Sequence, residues 1–253
     1  MTMLQPSIQK KFNGTIWRLE FDELSSVLAL EIRNQQDKQT SFTSIDINTG
    51  NINFEGLTTP ERWLTGIECV YNNVLLLHHY KNESGPEHRA VIGIDATNGQ
   101  TLWSNYSLAY DHLTEDGPAL YNTSVQPRKL FIADIKTGTT KSPNNSAANK
   151  PLQNRIVIPD MLPAADLVPG SLPLPPYGNI VHYLRHNNYI IVSLHTQKNG
   201  SLQQHLFVMR GSEIVFTDLL NTSIQKLQPE AFVIHNNTLV FITNRDTINI
   251  INL

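Results

Sequence analysis

The stretch from Trp63 to Trp103, WLTGIECVYNNVLLLHHYKNESGPEHRAVIGIDATNGQTLW, holds four short apolar runs separated by turn-forming residues. Trp63 to Tyr71 alternates with period two, the pattern of a half-buried strand. Asn72-Asn73 suits a two-residue hairpin turn, because Asn tolerates positive φ better than other residues with a side chain. Val74 to Tyr80 is nearly continuous in apolar character, as expected of a strand covered on both faces. After a polar loop, Arg89 to Ile94 forms a third run. Asp95-Ala96-Thr97-Asn98-Gly99 then turns the chain into Gln100 to Trp103. The whole reads as one four-stranded antiparallel unit.

Working outward, the same turn recurs at Asp46-Ile47-Asn48-Thr49-Gly50, followed by Phe54, 49 residues earlier. In both, an Asp side chain can accept backbone N–H groups ahead of it, and Gly supplies a left-handed position. The hairpin turn between first and second strands has counterparts at Ser25-Ser26, Asn122-Thr123, Asn187-Asn188 and Asn236-Asn237. Five turns predict five blades, with one longer interval, and a period near 50 residues points to a propeller or solenoid. Thr238–Thr243 and Thr247–Leu253 supply second and third strands of a last blade that lacks a fourth. Thr15–Leu19 is an unpaired strand at the other end. The expected fold is therefore all-β: a single-domain, five-bladed β-propeller of four-stranded antiparallel blades, closed by the N-terminal strand pairing with the C-terminal blade.

The third blade is ambiguous in phase. Asp134-Ile135-Lys136-Thr137-Gly138 copies the turn, but comes early if Asn122-Thr123 is the first hairpin. That spacing predicts that Gly138 closes a second strand and that Arg155–Ile158 is the third. Residues 139–178 form an insertion holding eight of the 14 prolines, and predict irregular or polyproline-like chain packed on the fold.

The turn and Trp pattern resembles the repeats of quinoprotein-type (PQQ-like) β-propellers, in which Ala-x-Asp-x-x-Thr-Gly-x-x-x-Trp links blade to blade. Asp95, Gly99 and Trp103 match, as do Asp46, Thr49 and Gly50, whereas Asn98 replaces Thr, Phe54 replaces Trp, and Gly93 and Ser44 replace Ala. The resemblance implies the fold. It does not imply the quinone, because members that use it are longer and carry adjacent cysteines and a calcium site, while this chain has one cysteine, Cys69. Taken whole, the chain is closer to a bacterial propeller family of unknown function.

Composition narrows the function classes. The formal net charge of −3 gives no basic surface for nucleic acid or anionic membrane. No apolar leader precedes Phe12 and no long apolar run follows, so the expectation is a soluble, cytoplasmic monomer. No phosphate loop, nucleophile elbow or HExxH motif is present, and no cofactor or metal is expected. In a propeller, the loops that gather at one face of the ring collect Trp63, Tyr110, Asp111, His112, Tyr177 and Glu230, the candidate ligand-binding residues. Tyr110-Asp111-His112 joins a carboxylate to an imidazole, although neighbours on an extended strand point opposite ways. Of His78 and His79, one is expected to be buried. The sequence favours a non-enzymatic scaffold binding a protein partner or small ligand at that face. The alternative is a carbohydrate-active hydrolase using carboxylates such as Asp22, Asp111 and Glu230.

Overall fold

The computed structural model describes residues 3–141, 150–167, 172–229 and 231–253. The chain divides into two compact units, residues 13–154 and residues 1–12 with 155–253. Both are built of antiparallel sheets, four of which take their strands in sequence order.

The first unit has three four-stranded sheets. The first contains β2 (Thr15–Phe21), β3 (Val27–Asn34), β4 (Gln39–Asp46) and β5 (Ile52–Leu57). The second contains β6 (Thr65–Tyr71), β7 (Val74–Tyr80), β8 (His88–Asp95) and β9 (Thr101–Asn105). The third contains β10 (Leu108–Thr114), β11 (Gly117–Asn122), β12 (Leu130–Ala133) and β13 (Thr140–Lys141). The Trp63–Trp103 stretch is the second sheet as expected, with Asn72 and Asn73 both at positive φ in its first hairpin.

The second unit has two five-stranded sheets. One runs β15 (Asp160–Pro163), β16 (Ile180–His186), β17 (Tyr189–Lys198), β18 (Ser201–Arg210), β19 (Glu213–Ile224). The other is ordered β1 (Ile8–Lys11), β22 (Thr247–Asn252), β21 (Thr238–Thr243), β20 (Val233–His235), β14 (Ile156–Val157). These are blade-type meanders, but five-stranded where four strands were expected.

Three expectations are corrected. An N-terminal strand does pair with the C-terminal sheet, but it is Ile8–Lys11 on β22, while Thr15–Phe21 pairs with β3. Between them lies Gly14, where a Cβ would lie 2.8 Å from the Arg33 carbonyl oxygen at φ +148°. In the third sheet the first hairpin is at Glu115-Asp116, not Asn122-Thr123. Asp134–Gly138 therefore joins third and fourth strands as in the other copies. The insertion, in turn, supplies strands: Ile156-Val157 pairs with β20, and Asp160–Pro163 pairs with β16. Pro163 ends an edge strand, where its missing donor costs no ladder bond.

Neighbouring sheets of the first unit pack through apolar layers. Phe42, Ile67, Leu75, Leu77 and Ile92 fill one, and Leu76, Val91, Leu108, Leu120 and Ile135 the next. The turn repeats lock these layers together. Trp103 covers Gly138, where a Cβ would lie 2.5 Å from the indole, and its Nε1 donates to the Ile135 carbonyl at 2.8 Å. The Trp ring also fills the place of a side chain at Gly93. One interface earlier, Phe54 covers Gly99 and has no N–H to offer. There the Ser44 hydroxyl donates to the Ala96 carbonyl at 2.6 Å. Ser44 and Gly93 are equivalent positions, as are Phe54 and Trp103, so each pairing satisfies the carbonyl that follows the turn Asp.

Candidate functional site: a buried polar cluster in the first unit

The first strand of each sheet in this unit carries a β-bulge. Pairing skips between Ile16 and Arg18 in β2, between Ile67 and Cys69 in β6, and between Tyr110 and His112 in β10. The bulged residues are Trp17, Glu68 and Asp111. A bulge inserts an extra residue and re-aims its side chain, and bulges gather near functional sites.

Glu68 is the centre of the cluster. Its Oε1 lies 2.7 Å from Nδ1 of His88 and 3.2 Å from Nδ1 of His78. Glu68, His78 and His88 come from β6, β7 and β8, three successive strands of one sheet. Pairing between β7 and β8 also skips after Leu77, and on β8 the buried Ala90 sits at φ +60°, a costly conformation for a residue with a Cβ. The two imidazoles stack with centroids 3.6 Å apart and planes 8° apart, and Tyr80 meets both edge-on. Nδ1 of His78 faces Glu68 alone, and its Nε2 has no hydrogen-bond partner among the described residues, although the residue is 1% exposed.

Two guanidinium–carboxylate pairs flank this group. Arg33 Nε donates to Glu31 Oε1 at 2.6 Å, and Arg18 Nε to Glu20 Oε1 at 2.8 Å. Arg18 also donates to the Glu68 backbone carbonyl, joining β2 to β6. The free oxygen of Glu31 accepts the Ile67 N–H at 3.0 Å. Arg33 lies against three aromatic rings, at 5.3 Å from Trp17, 5.2 Å from Trp63 and 5.9 Å from Tyr80. Gly66 makes room: a Cβ there would lie 2.9 Å from the His78 ring and 3.1 Å from Glu31 Oε2.

Burial dominates the electrostatics. It pushes the His78 imidazole below its ordinary pKa despite the adjacent carboxylate, and raises that of Glu20 despite Arg18. At Glu68 burial acts upward, but the two imidazoles beside it, His78 and His88, outweigh it and hold the carboxyl low. The cluster holds three carboxylates (Glu20, Glu31, Glu68) and two guanidinium groups. Glu68 is the carboxylate whose side-chain partners are imidazoles alone.

The sequence candidates are distributed differently. Trp63 borders this cluster through Arg33 and is also covered by Lys38 at 5.5 Å. Tyr110 is half-buried and hydrogen-bonded to Cys69, and burial raises the pKa of both. The β10 bulge lets adjacent residues meet: Asp111 Oδ2 lies 2.8 Å from His112 Nδ1, and Arg128 takes the other oxygen at 2.9 Å. Tyr177 belongs to the second unit, where its N–H donates to the His195 carbonyl. Glu230 lies outside the described residues. Asp22 is fully buried and accepts four hydrogen bonds, from Leu24 N, Ser25 Oγ, Asn72 N and Asn73 N. It staples the first sheet to the hairpin of the second. Both His78 and His79 are buried, not one of them.

The grouping of Glu68 with His78 and His88 escaped sequence reasoning because each follows the last by ten residues, a spacing with no helical or motif meaning. The usable signal is that the three fall in three successive strands of one antiparallel meander.

Residues 21–103 match the sequence profile of a domain of unknown function, DUF4905. The expected likeness to a family of unknown function is met over this stretch, which includes Glu31, Arg33, Glu68, His78 and His88. Comparison with curated proteins found no match. Among solved structures the chain is similar to BamB from Moraxella catarrhalis, at 9% identity and a TM-score of 0.33 over 93% of this chain and 84% of that one. It is also similar to the β-propeller domain of the Trilobed protease from Pyrococcus furiosus (11%, TM-score 0.34, 93% and 64%). A europium-containing methanol dehydrogenase gives 10% and a TM-score of 0.31 over 94% of this chain, which spans about half of that enzyme's length (52%). No residue role transfers at these values. Among the described residues no helix is long and apolar enough to cross a membrane.

Proposed function

We propose that this protein is a non-enzymatic binding scaffold that takes a small cationic ligand at the bulged strands of its first unit. One observation carries the reading: Glu68 is a buried carboxylate facing two imidazoles, and Nε2 of the buried one has no hydrogen-bond partner among the described residues. A buried charge is costly unless it is paired, and Glu20 and Glu31 already hold the two guanidinium groups. A cation at Glu68 balances the cluster. Hydrolysis of a sugar bond would instead require two available carboxylates. Asp22 is consumed by four structural hydrogen bonds, and Asp111 is engaged by Arg128 and His112.

A thermal-shift screen tests this with divalent metals, organic ammonium ions, sugars and oligosaccharides, nucleotides and quinones. A ligand at 100 times its Kd adds about 2.7 kcal/mol of stability. The expected result is stabilisation by a cation that disappears in Glu68→Gln. Stabilisation by a neutral sugar that survives Glu68→Gln, or oligosaccharide cleavage abolished by Asp111→Asn, would sink the proposal.

A further inference from the structure

Resting on that reading, we infer that the cation is a divalent first-row transition-metal ion, zinc foremost, held by Glu68 Oε1 and the ring nitrogens of His78 and His88. The three residues each offer a ligand atom, and these atoms all lie within 4.8 Å of one another. One carboxylate and two imidazoles form a donor set suited to zinc and its neighbours, with bonds of about 2.0–2.2 Å and room for a further ligand. Calcium and magnesium, which prefer oxygen donors, fit this set poorly.

The site is preset at two residues and closed by the third. Glu68 is fixed by its bulge, and His78 by complete burial on β7. A metal ion lies in the plane of each imidazole it binds. Two planes 8° apart with centroids 3.6 Å apart share no such point near Nδ1, so His88 must tilt out of the stack. It is the residue free to do so, as it opens β8 after the loop at 81–87 and its side chain is 27% exposed. Binding through Nδ1 leaves Nε2 of His78 to carry the proton. That nitrogen and Glu31 Oε2 both press on Gly66, each 3.1 Å from the place of a Cβ.

The experiment uses the whole chain, stripped with a chelator and titrated with Zn²⁺ and Co²⁺. One equivalent should bind, raise the melting midpoint, and give Co²⁺ the visible absorption of a low-coordinate nitrogen–oxygen site. Glu68→Gln and His88→Ala should each weaken binding by about tenfold or more. His88→Ala is the safer variant, because the ring is partly exposed and its loss opens no sealed cavity. His186→Ala, a partly exposed histidine of the other unit, should bind as the parent does. Binding that is unchanged in both site variants overturns the inference, as does the absence of bound metal after dialysis. Stabilisation by an organic ammonium ion through Glu68 without metal uptake would remove the metal while sparing the cation-binding reading.

Discussion

At Ser44 the hydroxyl that reaches the Ala96 carbonyl is fully buried, so its removal strands an acceptor away from water. Ser44→Ala should cost about 1–3 kcal/mol in urea denaturation. The double variant Ser44→Gly, Phe54→Trp should recover much of that, because it rebuilds the arrangement of Gly93 and Trp103. Gly138→Ala should be worse than Ser44→Ala, since it combines a φ of +70° with a Cβ 2.5 Å from the Trp103 ring. Little change in its urea midpoint would show that the indole does not seat on that turn. Residue-scale chemistry was half legible. The Asp-x-x-x-Gly spacing announced turns that are all found, including the third at Asp134. What spacing could not announce is which atom meets the carbonyl of the next sheet, since that depends on packing between units remote in sequence.

The bulges explain where strand-level reading stops. Period-two alternation assigns faces only while pairing stays in register, and one inserted residue reverses every face beyond it. For that reason Asp111 and His112 meet although they are neighbours, whereas His78 and His79 are both buried because β7 is covered on both faces. Glu68, inside an apolar run, looked like the outward residue of a half-buried strand. The hairpins were easier, because Asn72-Asn73 carries its own positive-φ signal, yet Asn122-Thr123 carried a similar signal and follows a second strand instead. Asp22 gives this scale its test. Asp22→Ala removes an acceptor serving four donors that belong to two sheets. It should lower stability by roughly 3 kcal/mol or more, with the loss seen by urea denaturation.

For the molecule as a whole, pH should act in two steps. His182, His195 and His205 lie on β16, β17 and β18, and burial depresses all three imidazoles, His195 to about 4 with smaller contributions from its two neighbours. The groups nearest them are neutral: His195 Nε2 accepts the Gln228 N–H, and Thr196 pairs with His205. An unfolded chain protonates histidine near pH 6.5 while the folded one resists. The unfolded state therefore binds more protons, and stability falls as pH drops from 6.5 toward 4. His195 alone is worth on the order of 3 kcal/mol across that window. The turn aspartates Asp46, Asp95 and Asp134, held low by hydrogen bonds that outweigh desolvation in the first two and lead at the third, add a second loss below about pH 4. Urea midpoints at pH 7, 5 and 3.5 check both steps. A midpoint that is flat between pH 7 and 5 would contradict the first.

The pairing of β1 with β22 also fixes an order of events. Ser7 bonds the Ile250 carbonyl across 243 residues, and Ile8 and Phe12 are buried there. During synthesis this segment is made long before its partner, so two apolar side chains wait exposed while nearly everything between them is made. A premature stop just before Thr247 and a loss of the first twelve residues should then produce related defects, since each leaves the same sheet without a strand pair. Errors at the two ends of the chain become one kind of error.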